Sequence, residues 1–321
     1  MSANNSQPLK LVFCGTPQFA VPTLEALLEA RHEVALVVSQ PDRPVGRAQT
    51  LTAPPVKHAA IAAGLRVVQP EKIKNNPEFR AELETIAPDA IVVVAYGRII
   101  PAWMLKLPPM GCMNLHASLL PRYRGAAPIQ RAVANGDAFT GNTTMLLEEG
   151  LDTGPILLQQ TREIRPDETA ADLFVELARN GAPLVVQTLA GLASGSIQPT
   201  RQNDAHATMA PLLNREDGRI DFGMRAAHEI YNRWRGFQPW PGAFTFLDGK
   251  KLIVHRMKPD PERSQVGEPG SVCVHGERLL VACAANTWLE LTEVQLEGKK
   301  RVTAAEFLRG AGVKAHARLG Y

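Results

Sequence analysis

Three short runs are apolar on consecutive residues rather than on alternate ones, LKLVFCG (Leu9–Gly15), EVALVVSQ (Glu33–Gln40) and DAIVVVAYG (Asp89–Gly97), and GCMNLHAS (Gly111–Ser118) reads as a fourth strand. A strand can be apolar on both faces only when both faces are covered, which is the condition of a parallel sheet flanked by helices. Between the first two runs, residues from about Phe19 to Ala30 carry helical spacing at Leu24, Leu27 and Leu28. Strand–helix alternation of this kind predicts an open α/β sheet. Ligands of such sheets sit at the carboxyl ends of the strands. That draws attention to Gly15–Thr16, to Tyr96 and Gly97, and to Asn114 and His116.

At 321 residues the chain exceeds one ordinary core, so two domains are expected. Thr169–Ser194 has the spacing of one long helix. Gly195–Pro211 is polar and aperiodic, as a linker would be. Beyond it comes a helix over about Arg225–Arg235. Then follow the short β-like runs AFTFL, KLIVHRM, GSVCVH, RLLVACA and WLELTEVQL, with turns such as Asp248-Gly249. Five short strands with little helix predict a small β-barrel, OB-like among others. The expected organisation is thus a catalytic domain over 1–194, a linker over 195–211 and a small barrel over 212–321.

Several classes are excluded. No stretch reaches the roughly 20 apolar residues that cross a bilayer, and the start, MSANNSQPLK, lacks the apolar core of a secretory signal. Cys14, Cys112, Cys273 and Cys283 form no CxxC pair and lie near no His at metal spacing, so no metal site is expected. A reducing cytoplasm is the simplest setting for them, with Cys14 and Cys112 as core residues. From Met209 onward 17 Lys/Arg face 13 Asp/Glu, against 18 and 19 before it, so the positive excess lies in the C-terminal part. That suits an anionic partner without reaching the density of a dedicated nucleic-acid-binding domain.

Asn114 and His116 are two apart on one strand and therefore share a face. An amide donor and an imidazole aimed at one spot suit a developing oxyanion and a proton transfer. The same two residues would also serve as ordinary hydrogen-bonded structure. Asp152 lies between Gly150 and Gly154, where it can orient a histidine or simply form a turn.

Together, N-x-H-x-S-L-L-P-x-x-x-G from Asn114 to Gly125, followed by D-x-G about thirty-five residues later, resembles the signature of the folate-dependent formyltransferases. The resemblance covers Leu9 to about Leu189. It implies a Rossmann-like sheet, 10-formyltetrahydrofolate as donor, and Asn114, His116 and Asp152 as the catalytic set. It also implies that Ser118, Leu119, Leu120 and Pro121 contribute to the folate site, and that the turn Ala95, Tyr96, Gly97, with Arg98–Pro101 beside it, holds the pterin. Direct acyl transfer is expected, with Asp152 fixing the histidine and no metal or covalent enzyme intermediate. Gly15-Thr16-Pro17 stands where a dinucleotide fold carries GxGxxG, which argues against a nicotinamide site.

The acceptor rests on two further likenesses. SQPDRPVGR (Ser39–Arg47) resembles the loop by which methionyl-tRNA formyltransferases approach the acceptor end of initiator methionyl-tRNA, which implies tRNA contacts from Arg43 and Arg47. NREDGRIDF, IYNRWRGFQPWPGA and VQLEGKKRVTAAEFL resemble the tRNA-side domain of the same relatives, with Arg233, Arg235, Lys299, Lys300 and Arg301 placed to meet phosphates and Trp240 expected in the core. Arg215-Glu216 and Leu212-Leu213 stand where those relatives commonly carry lysines. A monomer is implied. An amino-sugar formyltransferase is the alternative enzyme, and a non-catalytic tRNA- or folate-binding protein the alternative class.

Overall fold

The computed structural model describes residues 7–46, 48–263, 265–311 and 317–320. Chain contacts divide it into two units, 1–128 with 139–163 and 173–211, and 129–138 with 164–172 and 212–321. The chain therefore passes from the first unit to the second and back twice before entering the C-terminal part.

In chain order the first unit holds β1 (Lys10–Gly15), α1 (Val21–Glu29), β2 (Glu33–Val38), β3 (Arg43–Val45), β4 (Thr50–Thr52), α2 (Pro55–Ala62), β5 (Val67–Val68), α3 (Pro77–Ile86), β6 (Ala90–Val94), α4 (Ala102–Leu105) and β7 (Cys112–His116). After α5 (Pro128–Ala134), which leads into the second unit, come β8 (Phe139–Leu146) and β9 (Ile156–Glu163), and then α6 (Ala170–Ala193). The main sheet has the order β5-β2-β1-β6-β7-β8-β9. Its first five strands are parallel, β8 pairs antiparallel with β7, and β9 pairs antiparallel with β8. Leu11, Val12, Phe13 and Cys14 of β1 and Ile91, Val92 and Val94 of β6 are fully buried, as double coverage requires. The strand order reverses direction on either side of β1, and Asn114 and His116 stand at the end of β7.

The span expected as a linker is hydrogen-bonded along the first unit. Thr200 exchanges two backbone bonds with Ile156, and 208–210 lies against 121–127 through Thr208 N–H to Pro121 O, Arg124 N–H to Thr208 O and Ala210 N–H to Arg124 O. Polar side chains signalled solvent there, but several of them are consumed by buried backbone groups.

The second unit holds α7 (Ala227–Gly236), β10 (Phe244–Leu247), β11 (Lys250–Asp260), β12 (Val272–His275), β13 (Arg278–Cys283), β14 (Thr287–Leu296), β15 (Val302–Thr303) and α8 (Ala304–Ala311). The strands form an antiparallel sheet in the order β10-β11-β14-β13-β12, with β15 on β14. Two bridges, Leu247 to Leu319 and Ser271 to Arg318, tie one edge strand and the approach to the other to the same short C-terminal segment. Those bridges close the expected small barrel, whose core includes Leu252, Val254, Leu279, Val281, Leu289 and Leu291. Trp240, expected in the core, is 51% exposed. It sits in the turn between α7 and β10, whose backbone is held by Gly242 N–H to Phe237 O and not by the indole. Among the described residues no helix is long and apolar enough to cross a membrane.

Candidate active site

His116, 7% exposed at its side chain, ends β7, and its Nε2 lies 2.9 Å from the carbonyl oxygen of Tyr123. A carbonyl only accepts, so Nε2 carries the hydrogen and Nδ1 is left for chemistry. Nδ1 faces Asp152 Oδ2 at 3.7 Å, beyond a direct hydrogen bond. The group that orients the ring is therefore the Tyr123 carbonyl, where the sequence pointed to Asp152. The same Asp152 oxygen accepts the Gly125 N–H at 2.8 Å. Asn114, two residues before His116, is half-buried, pairs with Val93 and Met145 across the sheet, and its carboxamide makes no hydrogen bond among the described residues. An amide donor, an imidazole nitrogen and a carboxylate thus gather where β7 ends, all within the first unit.

Two loops frame this group under evident constraint. Tyr123 (φ 62°) and Asp152 (φ 52°) both occupy the left-handed region, which disfavours residues with a β-carbon. In the Asp152 loop a β-carbon on Gly154 would overlap the carbonyl oxygen of Leu146, so only glycine lets the loop approach β8. The loop after β7 is bolted from beneath. Ser118 Oγ donates to Arg122 O at 2.6 Å, Thr143 Oγ1 donates to Ser118 O at 2.6 Å and accepts from Leu120 N–H at 3.1 Å, and Gln159 Nε2 donates to Leu120 O at 2.9 Å. Ser118 and Leu120 are buried, whereas Leu119 and Pro121 are half-buried and available at the surface. At the turn after β6, Ala95 (φ 46°) and Gly97 are exposed, but the Tyr96 ring is core, its hydroxyl pushed well above the ordinary range by burial. Only the Tyr96 backbone faces the turn, where its carbonyl accepts from Thr16 Oγ1 at 3.0 Å and Gln40 Nε2 at 3.2 Å.

The Ser39–Arg47 loop, expected without regular structure, contains β3 paired with β4 in a two-stranded ribbon. Hydrogen bonds from Lys57 and Gln69 anchor Asp42 at its base and hold that carboxyl below its usual range. Arg43 is exposed, and its side chain stands 3.9 Å from Glu71. Arg47 lies outside the described residues. In the second unit Lys299 and Lys300 are exposed beyond β14, while Arg301 pairs with Glu293. Arg233 differs from expectation: it is half-buried, donates to Asp217 O at 2.8 Å and stacks on Phe237. Arg235 is 4% exposed and spends its donors on the carbonyls of Arg165 and Glu168 and on Asn232 Oδ1, so it is structural. Their places on α7 decide this, since its apolar face packs inward and takes Arg235 with it. The described residues contain no group of three His, Cys, Asp or Glu side chains able to hold a metal ion.

A family model described as formyl transferase matches residues 9–189, and one described as the formyl transferase C-terminal domain matches 212–312. The chain belongs to the formyl transferase family. Within it the chain stands with the methionyl-tRNA formyltransferases. The protein of that name from Acidobacterium capsulatum is 65% identical across 97% of this chain and 100% of its own length. That of Koribacter versatilis is 56% identical across 97% and 98%. Among solved structures, an N-formyltransferase from Helicobacter canadensis, in complex with folinic acid and dTDP-3-aminofucose, covers 88% of this chain and 98% of its own at TM-score 0.65 and 20% identity, a likeness of fold. Tyr123, Thr143 and Gln159, which hold His116 and the loop after β7, were not anticipated. Tyr123 contributes through its carbonyl, which every residue possesses, and the other two through contacts with that loop's backbone that no local spacing announces.

Proposed function

We infer that this chain transfers the formyl group of 10-formyltetrahydrofolate to the α-amine of methionyl-initiator tRNA, supplying the starting aminoacyl-tRNA for translation. The observation that carries this is the 65% identity with a methionyl-tRNA formyltransferase along the whole chain, both units included. The gathered Asn114, His116 and Asp152 supply a chemistry that fits it. The amine lone pair attacks the formyl carbon and the carbonyl pair moves onto oxygen. The Asn114 amide donates to that oxyanion. His116, with Nε2–H committed to Tyr123, takes the amine's proton on Nδ1 and returns it to the folate nitrogen as the carbon–nitrogen bond breaks. The Asp152 carboxylate, 3.7 Å from Nδ1, stabilises the imidazolium formed between those transfers.

The donor's pterin fits the turn Ala95–Gly97 by backbone contacts, and its folate body lies along Leu119 and Pro121, whose loop Ser118 and Leu120 shape from within. For tRNA, Arg43 of the first unit and Lys299 of the second each offer exposed charge, and the sequence adds Arg47 four residues after Arg43. Arg233 contributes only the donors that Asp217 leaves to it. The chain acts as a cytoplasmic monomer.

The deciding experiment supplies labelled formyl-folate with methionyl-tRNA, glycinamide ribonucleotide or a UDP-amino sugar. Transfer to methionyl-tRNA is expected, and transfer only to the sugar overturns the reading. Arg43→Ala is expected to raise the KM for tRNA while sparing formyl-folate hydrolysis. Equal loss of both activities would assign the loop to the fold instead.

A further inference from the structure

Residues 190–211 fall between the two ranges matched by the family models, 9–189 and 212–312, and their composition speaks only of a linker. Gln202 within them is 6% exposed. Its Nε2 donates to Asp152 O at 2.8 Å and to Gly154 O at 2.7 Å. Its Oε1 accepts from Arg124 Nε at 3.1 Å and from a second guanidinium nitrogen at 2.8 Å. Arg124, itself 6% exposed, reaches on to Asp204 at 2.7 Å. One carboxamide thus grips both ends of the Asp152 segment on one side and the strand of residues beside Gly125 on the other.

We propose that Gln202 is a positioning residue for formyl transfer, holding Asp152 in its left-handed conformation so that the carboxylate faces His116. The proposal rests on the functional reading above. Asp152 occupies a backbone region that a side chain disfavours, so the conformation persists only where its surroundings over-determine it. Two contacts do this: the carboxylate accepts the Gly125 N–H, and the residue's own carbonyl accepts the Gln202 amide. Without the second, the peptide after Asp152 is free to rotate and the carboxylate swings from Nδ1. The same segment does the equivalent for the histidine. Thr208 Oγ1 accepts the N–H of left-handed Tyr123 at 2.8 Å, and the Tyr123 carbonyl holds Nε2. The span between the two family-model ranges therefore braces both partners of the Asp152–His116 pair.

A glutamine that merely satisfies buried carbonyls would lower stability alike in every background. A positioning residue acts through Asp152 and loses its effect once Asp152 cannot function. The test measures kcat, both KM values and thermal midpoint for wild type, Gln202→Leu, Asp152→Asn and the double variant, with methionyl-tRNA as acceptor. Gln202→Leu is expected to lower kcat by about 10- to 100-fold, with both KM values within about threefold, since displacing a reacting group by an ångström has an effect of that size. Adding it to Asp152→Asn is expected to lower kcat by less than about threefold more, the non-additivity of residues acting as one unit. Gln202→Glu keeps an acceptor for Arg124 and lacks both amide donors, so it repeats the kcat loss should the leucine variant fold poorly. A folded Gln202→Leu or Gln202→Glu enzyme with wild-type kcat, or a loss that multiplies in full on Asp152→Asn, overturns the role of Gln202 alone. Absence of methionyl-tRNA formylation by wild type overturns the functional reading and this proposal with it.

Discussion

At His116 a single backbone oxygen, that of Tyr123, sets the tautomer, and the residue's chemistry follows from it. Asn114 offers a donor that no group among the described residues uses, which is what a preorganised oxyanion site requires. Asn114→Ala is expected to lower kcat by about 100-fold or more, the loss of about 3 kcal/mol that follows removal of one oxyanion donor. Single-turnover formylation measures it, and near-normal turnover would remove Asn114 from the mechanism. The cysteines respond to their surroundings rather than to any reaction. Burial raises the thiols of Cys14, Cys112 and Cys283, the last two to about 12, and leaves little reactive thiolate at neutral pH. Only Cys273 is part-exposed. Alkylation of the native protein at pH 8 is expected to modify Cys273 first, and all four cysteines in denaturant. Rapid native labelling of Cys14 would contradict its burial.

At the scale of elements, β8 is the instructive case. Its run Asn142, Thr143 and Thr144 is polar yet all but fully buried. Each bonds a neighbour distant in sequence: Asn142 Nδ2 donates to Leu177 O at 2.9 Å, Thr143 to Ser118 O, and Thr144 pairs with Thr188 at 2.8 Å, while Asn142 Oδ1 has no partner among the described residues. Buried polar groups are acceptable where partners exist, and those partners are fixed only by tertiary packing. Thr143→Val keeps the shape and removes the bonds to Ser118 and Leu120. It is expected to cost about 1–3 kcal/mol in urea unfolding, because buried backbone groups lose their partners. It is also expected to raise the KM for formyl-folate as the Ser118–Pro121 loop loosens. Lower stability with an unchanged KM would separate that loop from the folate site.

At the scale of the whole molecule, two units solve the problem of sheet edges differently. In the first, an antiparallel β8–β9 pair forms one edge of a sheet whose other five strands are parallel. In the second, the short segment 317–320 closes the sheet, with Leu319 N–H to Gly270 O at 2.8 Å and Gly320 N–H to Phe246 O at 3.0 Å. Gly270 (φ 87°) makes that closure possible, since a β-carbon there would stand 2.7 Å from Leu319 O. Gly270→Ala is expected to destabilise the second unit by more than about 1 kcal/mol. Tryptophan fluorescence would follow its urea unfolding, since Trp234, Trp240 and Trp288 lie in that unit and Trp103 alone in the other. An unshifted midpoint would show that the segment does not hold the barrel closed.

The open parallel sheet was legible in the sequence because a strand covered on both faces must be apolar along most of its length, and the runs that become β1, β2 and β6 are. The pairing of Asn114 with His116 was equally legible, since alternation along one strand is a local rule. The small closed barrel was legible as short strands and turns, though not the segment that closes it. Tertiary structure alone decided the rest. It gave the histidine's hydrogen bond to Tyr123's carbonyl rather than to Asp152's carboxylate, buried Arg235 and exposed Trp240, and set Gln202 of the polar span against the backbone of the Asp152 loop. In each of these the outcome depends on which distant backbone groups need a partner. A polar side chain looks the same in sequence whether water or a buried carbonyl will satisfy it.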